Sequence, residues 1–191
     1  MKLYHHTPLS HFIGIACEKR LRRGRDPAHF TPDPGRRSGY AVPEDDDGVT
    51  WLTTNSEPGD CGHIGFPIKS DADLLMTPEQ CRERGFDPSS GAMWTDRREV
   101  TLELPVPHPR PKVFRHYPPY ARRYVDPAVH RAMTPWFTKP QTWWMCFAQI
   151  PLGAISEIVI RPLNFRGTPG EAIRLLEERQ IVELVPRAAA A

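Results

Sequence analysis

Proline is the residue that most constrains what this chain can fold into: 22 of its 191 residues are proline. Each one fixes φ and removes a backbone donor, so each interrupts a helix or a central strand. Pro105, Pro107, Pro109 and Pro111 alternate, which implies an extended, polyproline-like exit from whatever precedes them. The expectation is short elements, long ordered loops and a modest core.

Between the prolines, periodicity supplies the elements. Lys2 to Thr7 reads as a strand ended by Pro8. Leu9, Phe12, Ile13, Ile15 and Ala16 then fall near helical spacing, predicting a helix to about Leu21 with Gly24 as its stop. Val49 to Thr54 is rich in β-branched and aromatic residues and reads as a strand. Ile64 to Ile68 reads as a short edge strand, and Thr77-Pro78-Glu79-Gln80 opens a short helix that Gly85 ends. Val100, Leu102 and Leu104 alternate with Glu99, Thr101 and Glu103, the pattern of a half-buried strand. Phe114 to Met133 holds one or two short helices, and Trp143 to Phe147 is a strand or a buried turn. Ile155 to Ile160 is a strand, with Glu157 expected on the face of Ile155 and Val159. Thr168 and Glu171 have capping-box spacing at the start of a helix. Ile181 to Val185 reads as a last strand. The predicted fold is α+β: a single domain over residues 1–187 with a tail at 188–191. Its sheet is mixed, mostly antiparallel and split around a cleft, with short peripheral helices.

Charge and cysteine use narrow the function classes. With 25 basic and 23 acidic residues the net charge is +2, which argues against a general nucleic-acid binder held by counterion release. Lys19, Arg20, Arg22, Arg23 and Arg25 read as a solvated helix end, and Glu44 to Gly48 as a solvated turn. Cys17, Cys61, Cys81 and Cys146 are too widely spaced for a secreted disulfide scaffold. No apolar run approaches the ~20 residues of a spanning helix, and Met1 to Thr7 is not of signal-peptide kind. A cytoplasmic location without a membrane partner is expected. Cys61, His63 and the group His5, His6 and His11 lack the paired spacing of a zinc site, so no metal is expected.

Three strands carry polar residues that a purely apolar strand would not need: Leu3-Tyr4-His5-His6-Thr7, Trp51-Leu52-Thr53-Thr54 and Ser156-Glu157-Ile158-Val159-Ile160. Burying a carboxylate such as Glu157 is costly without a partner. In this order the three segments resemble the three motifs of the ADP-ribosyltransferase fold. The first is similar to the histidine motif shared by DNA-targeting toxin ADP-ribosyltransferases and RNA 2′-phosphotransferases. The resemblance covers three short patches of the chain.

That resemblance implies a cofactor pocket for NAD, used as a substrate. His5, or His6 if the register shifts by one, would bond an NAD ribose, with Thr7 supporting it. Thr53 or Thr54 would stand near the nicotinamide. Glu157 would be the catalytic carboxylate that stabilises positive charge on the ribose. Ile155 occupies the place where arginine-modifying relatives carry a second acidic or amide residue. No tyrosine lies in Val49 to Thr54, so a stacking ring would come from Tyr40, Tyr117, Tyr120 or Tyr124. The acceptor (protein, nucleic acid, small molecule or water) is not specified, and a toxin role fits small proteins of this type. Two alternatives share the fold: a non-catalytic binding module, and a 2′-phosphotransferase using Arg97, Arg98, Arg122 or Arg123 to hold phosphate.

Overall fold

The computed structural model describes residues 1–21, 24–25, 48–58, 70–83, 85–93, 96–109, 113–119, 140–179 and 181. The expectations for Ile64 to Ile68, for Glu44 to Asp47, for Cys61 and His63, and for Val182 to Val185 lie outside the described residues, as do Tyr40, Tyr120, Tyr124, Arg122 and Arg123.

The α+β class holds. Strands β1 (Lys2–Thr7), β4 (Gly48–Thr53), β5 (Val100–Pro105), β6 (Phe114–His116), β7 (Trp143–Cys146), β9 (Glu157–Ile160) and β10 (Phe165–Gly167) form one sheet. Its order is β10-β9-β5-β1-β4-β7-β6, with β3 (Gly24–Arg25) added on β4, and each of these pairings is antiparallel. β2 (Arg20–Leu21) pairs separately with β8 (Ile150–Pro151). Among the described residues, helices α1 (Leu9–Glu18), α2 (Pro78–Glu83) and α3 (Pro169–Glu178) accompany them. No described helix is long and apolar enough to cross a membrane.

Period-two alternation sorts the central strands into two faces. Leu3, Val100, Leu102, Leu104, Leu52, Ile158 and Ile160 point to one side, where they meet Phe12 and Ala16 of α1 and Ala172 and Leu176 of α3 in a single apolar cluster. Burying each of the Val, Leu, Ile and Phe side chains among them contributes roughly 1.5–3 kcal/mol. The opposite face carries Tyr4, His6, Thr101, Glu103 and Glu157. Toward β7 it becomes aromatic: Trp51 meets Tyr117 and Trp143 edge-on, with ring centres 5.2 and 6.2 Å away. Trp144 faces the core side and stacks on His116 at 5.0 Å.

Two boundaries differ from the sequence expectation. α1 stops at Glu18 rather than Leu21 because Lys19 adopts a left-handed conformation, φ 56°, and Arg20 and Leu21 leave to pair with β8. β9 starts at Glu157 because Ile155 closes a 3₁₀ turn over Leu152–Ala154 and drops into the core. Ile155 therefore does not extend the strand face that carries Glu157.

Candidate functional site

β1 delivers two adjacent histidines to opposite sides of the sheet. His5 stands opposite Leu102 and shares the core side; His6 stands opposite Thr101 on the polar side. His5 Nδ1 lies 2.9 Å from the carbonyl of Trp51. A carbonyl only accepts, so Nδ1 carries the proton and Nε2 of the neutral ring is an acceptor. Among the described residues Nε2 has no hydrogen-bond partner. Burial lowers the His5 pKa to about 4 against the opposing pull of the Trp51 carbonyl, with Arg97 and His11 adding to the lowering. The ring is neutral at pH 7.

His6 is fully engaged. Its Nε2 donates to the Asn55 carbonyl at 3.1 Å, so Nδ1 accepts from the Thr101 hydroxyl at 3.0 Å. Thr101 Oγ1 in turn accepts from Arg161 Nη1 at 2.8 Å. Every proton in the relay from Arg161 through Thr101 and His6 to Asn55 is thereby assigned. Burial also lowers the His6 pKa to about 4, with the Asn55 bond opposing.

A cavity of about 550 Å³ opens beside His5, between the end of β1, α1 and β4. Thr7, His11, Arg20, Thr50 and Arg97 help to line it. That volume lies within the usual ~300–1,000 Å³ range of small-molecule and cofactor sites. Its two arginines, Arg20 and Arg97, suit a phosphorylated ligand. Arg98, the other described arginine with a phosphate-holding candidacy, is held by Asp96 and Asp71, each at 2.8 Å or less.

Glu157 lies in a second, smaller cavity of about 160 Å³ on the polar face, with Tyr4, Glu103, Thr101, Arg161 and Arg166. Its side chain is 36% exposed and accepts from Arg166 Nη1 at 3.1 Å. Glu103 stands directly across from it on β5. The two cavities share no lining residue, and Glu157 lies two strands from β1, roughly 10 Å at the usual interstrand spacing.

The predicted site residues therefore divide. His5 and Thr7 share the larger cavity, and Glu157 occupies the smaller. Thr53 is buried and bonds the Thr142 hydroxyl at 3.0 Å, while the exposed Thr54 donates its N–H to the Thr142 carbonyl at 2.9 Å. Both threonines hold the end of β4 to residue 142 and line neither cavity. Thr50, at the other end of the strand, reaches the His5 cavity. Sequence reasoning also missed Tyr4 and Glu103. The alternation of β5 put Glu103 on a polar face, but only strand pairing sets that face against Glu157. Among the described residues no metal-holding group of three or more His, Cys, Asp or Glu side chains comes together.

No family model, curated protein or solved structure matches the chain.

Proposed function

We propose that this chain is a nucleotide-binding module whose larger cavity takes NAD; the second reading, which the motif resemblance implies, is an NAD-consuming ADP-ribosyltransferase-like enzyme acting on an unidentified acceptor. The observation that carries this reading is the His5 Nε2 acceptor, open in a cavity of nucleotide size beside Arg20 and Arg97. A neutral imidazole acceptor suits a ribose hydroxyl, and the arginines suit a pyrophosphate. His5, rather than the fully bonded His6, is the pocket histidine in this proposal, with Thr7 buried beside it.

In the enzyme reading, which rests on the motif resemblance, Glu157 would supply the chemistry, and His5 and Glu157 would have to reach one ribose. The bond between nicotinamide nitrogen and ribose carbon breaks with its electron pair leaving on nicotinamide. Positive charge builds on the ribose, where a fixed carboxylate stabilises it. The acceptor's lone pair then forms the new bond to the same carbon, and its proton passes to a carboxylate acting as general base. Thr53 and Thr54 hold the end of β4 in this scheme and do not contact the nicotinamide.

The division of His5 and Glu157 between two sides of the sheet favours the non-catalytic module, with Glu157 serving only its ion pair to Arg166. Ligand-observed NMR with NAD, followed by an assay for released nicotinamide, separates the two. The enzyme reading expects binding that His5→Ala weakens and Glu157→Gln preserves, and release that Glu157→Gln abolishes. Binding without release selects the module. No binding to folded wild type removes NAD from both.

A further inference from the structure

We propose that Gly14 is a specificity-determining residue of the larger cavity: by carrying no side chain on the cavity face of α1, it leaves a slot in which a planar ring of the nucleotide lies flat against the helix. The proposal rests on the nucleotide-binding reading and assigns a place to the ring, where that reading places a ribose hydroxyl and phosphates.

α1 turns one face to the cavity. His11, Gly14, Ile15 and Glu18 line it at the three- and four-residue spacing that puts positions on one side of a helix. From His11 to Glu18 that face runs about 10 Å along the axis, at 1.5 Å per residue. Gly14 stands midway. Ile15 beside it is partly buried against the core and offers an apolar wall.

Packing within the protein does not ask for glycine at this position. Gly14 lies in the interior of α1, and among the described α-helices it is the glycine that stands beyond a first turn. Its φ is not left-handed, unlike those of Gly85 and Gly91. Among the described residues no neighbouring group would lie within 4 Å of a Cβ added there. Glycine is a poorer helix former than alanine, and no close packing offsets that loss. The remaining physical use of a missing side chain is the close approach of a ligand to the backbone. The cavity lies on that side, and a planar ring fits such an approach. Glu18 closes the far end of the slot, 3.8 Å from Arg20 Nε. A carboxylate accepts several hydrogen bonds, and the nicotinamide amide and the adenine amino group both donate them.

The test uses the full chain: the dissociation constant for NAD by ligand-observed NMR and the melting temperature, on wild type, Gly14→Ala, Gly14→Leu and Cys17→Leu. Alanine and leucine are good helix formers, so both Gly14 variants are expected to melt higher than wild type, by about 2–4 °C. The same variants are expected to bind NAD less tightly, Gly14→Leu by about tenfold to a hundredfold and Gly14→Ala by less, because the new side chain overfills the slot. Cys17 is exposed on the same helix and does not line the cavity, so Cys17→Leu is expected to bind as wild type does. A more stable protein with a weaker site is a signature that a merely structural glycine would not give. Wild-type affinity in Gly14→Leu, or in Gly14→Ala if Gly14→Leu does not fold, overturns the slot and leaves the nucleotide reading intact. An equal loss of affinity in Cys17→Leu also overturns the slot, by assigning the effect to the helix as a whole. Folded wild type that does not bind NAD overturns the nucleotide reading, and this proposal with it.

Discussion

His5 and His6 are peptide neighbours that do opposite things: His5 turns one ring nitrogen to the Trp51 carbonyl and leaves the other open, while His6 has both nitrogens bonded, to Thr101 and Asn55. The alternation of a strand separates them, and their consequences for stability and ligand binding separate with it.

His6→Ala removes the middle of a buried relay and leaves the Asn55 carbonyl and the Thr101 hydroxyl short of a partner. Leaving such groups unsatisfied costs about 1–3 kcal/mol. His5→Ala leaves one carbonyl beside an open cavity that water can enter, and is expected to cost about 1 kcal/mol or less. Urea denaturation of the two variants checks the order; a larger loss for His5→Ala would contradict the assignment of His6 as the structural histidine.

Stability should fall as the solution is acidified below pH 6.5. Both histidines have a folded pKa near 4 and an ordinary value of 6.5. Between those values the unfolded chain binds protons that the folded chain refuses, so stability rises with pH. It is fully present above about pH 6.5 and is lost progressively toward pH 4. Each histidine contributes at most about 1.4 kcal/mol per pH unit in that window. Denaturation midpoints at pH 7.5 and pH 5 measure the slope, which His6→Gln should flatten. An unchanged slope in that variant would assign the acid sensitivity to other groups.

Ile158 and Val159 are adjacent in β9 and face opposite ways. Ile158 is fully buried in the apolar cluster. Ile158→Ala is expected to cost about 2–5 kcal/mol, the range for truncating a core aliphatic. Val159→Ala, on the half-buried polar face, should cost less than half as much. Equal losses in calorimetry would mean that the polar face is packed as tightly as the core.

Thr168 caps α3, with the Glu171 N–H reaching its side chain and the Glu171 carboxylate reaching back to the Thr168 N–H. Thr168→Ala is expected to lose about 1 kcal/mol. Arg166→Ala breaks an exposed ion pair and should change stability by less than about 1 kcal/mol. The contrast is measurable by thermal melts, and a large loss for Arg166→Ala would give the Glu157 pair a structural weight that its exposure does not suggest. Gly167 sits beside this cap because an added Cβ would lie 2.8 Å from both Glu171 Oε2 and the Phe165 ring.

The strands and the capped helix were legible because their signals are local. Val100, Leu102 and Leu104 alternate within one segment, and Thr168 with Glu171 needs only four residues. Element ends were less legible. Nothing in the composition around Lys19 announces a left-handed residue, since the reason for it, the pairing of Arg20 and Leu21 with β8, lies some 130 residues away. Thr53 and Thr54 were assigned to the site from their place in a motif, whereas their hydrogen bonds go to Thr142.

The α+β class, the apolar face of the central strands and the polar residues that stand out from them are all legible in the order of the residues. Those follow from period-two alternation, proline and capping chemistry, all of which act over a few residues. Which polar residues meet depends on the folded arrangement. His5 and His6 part because neighbours on a strand point to opposite faces, and His5 gains Thr50, Arg20 and Arg97 from three other segments. Glu157 gains Glu103 and Tyr4 through strand pairing. Register across long sequence separations is set by how the whole sheet buries its apolar face, and no single segment carries that information.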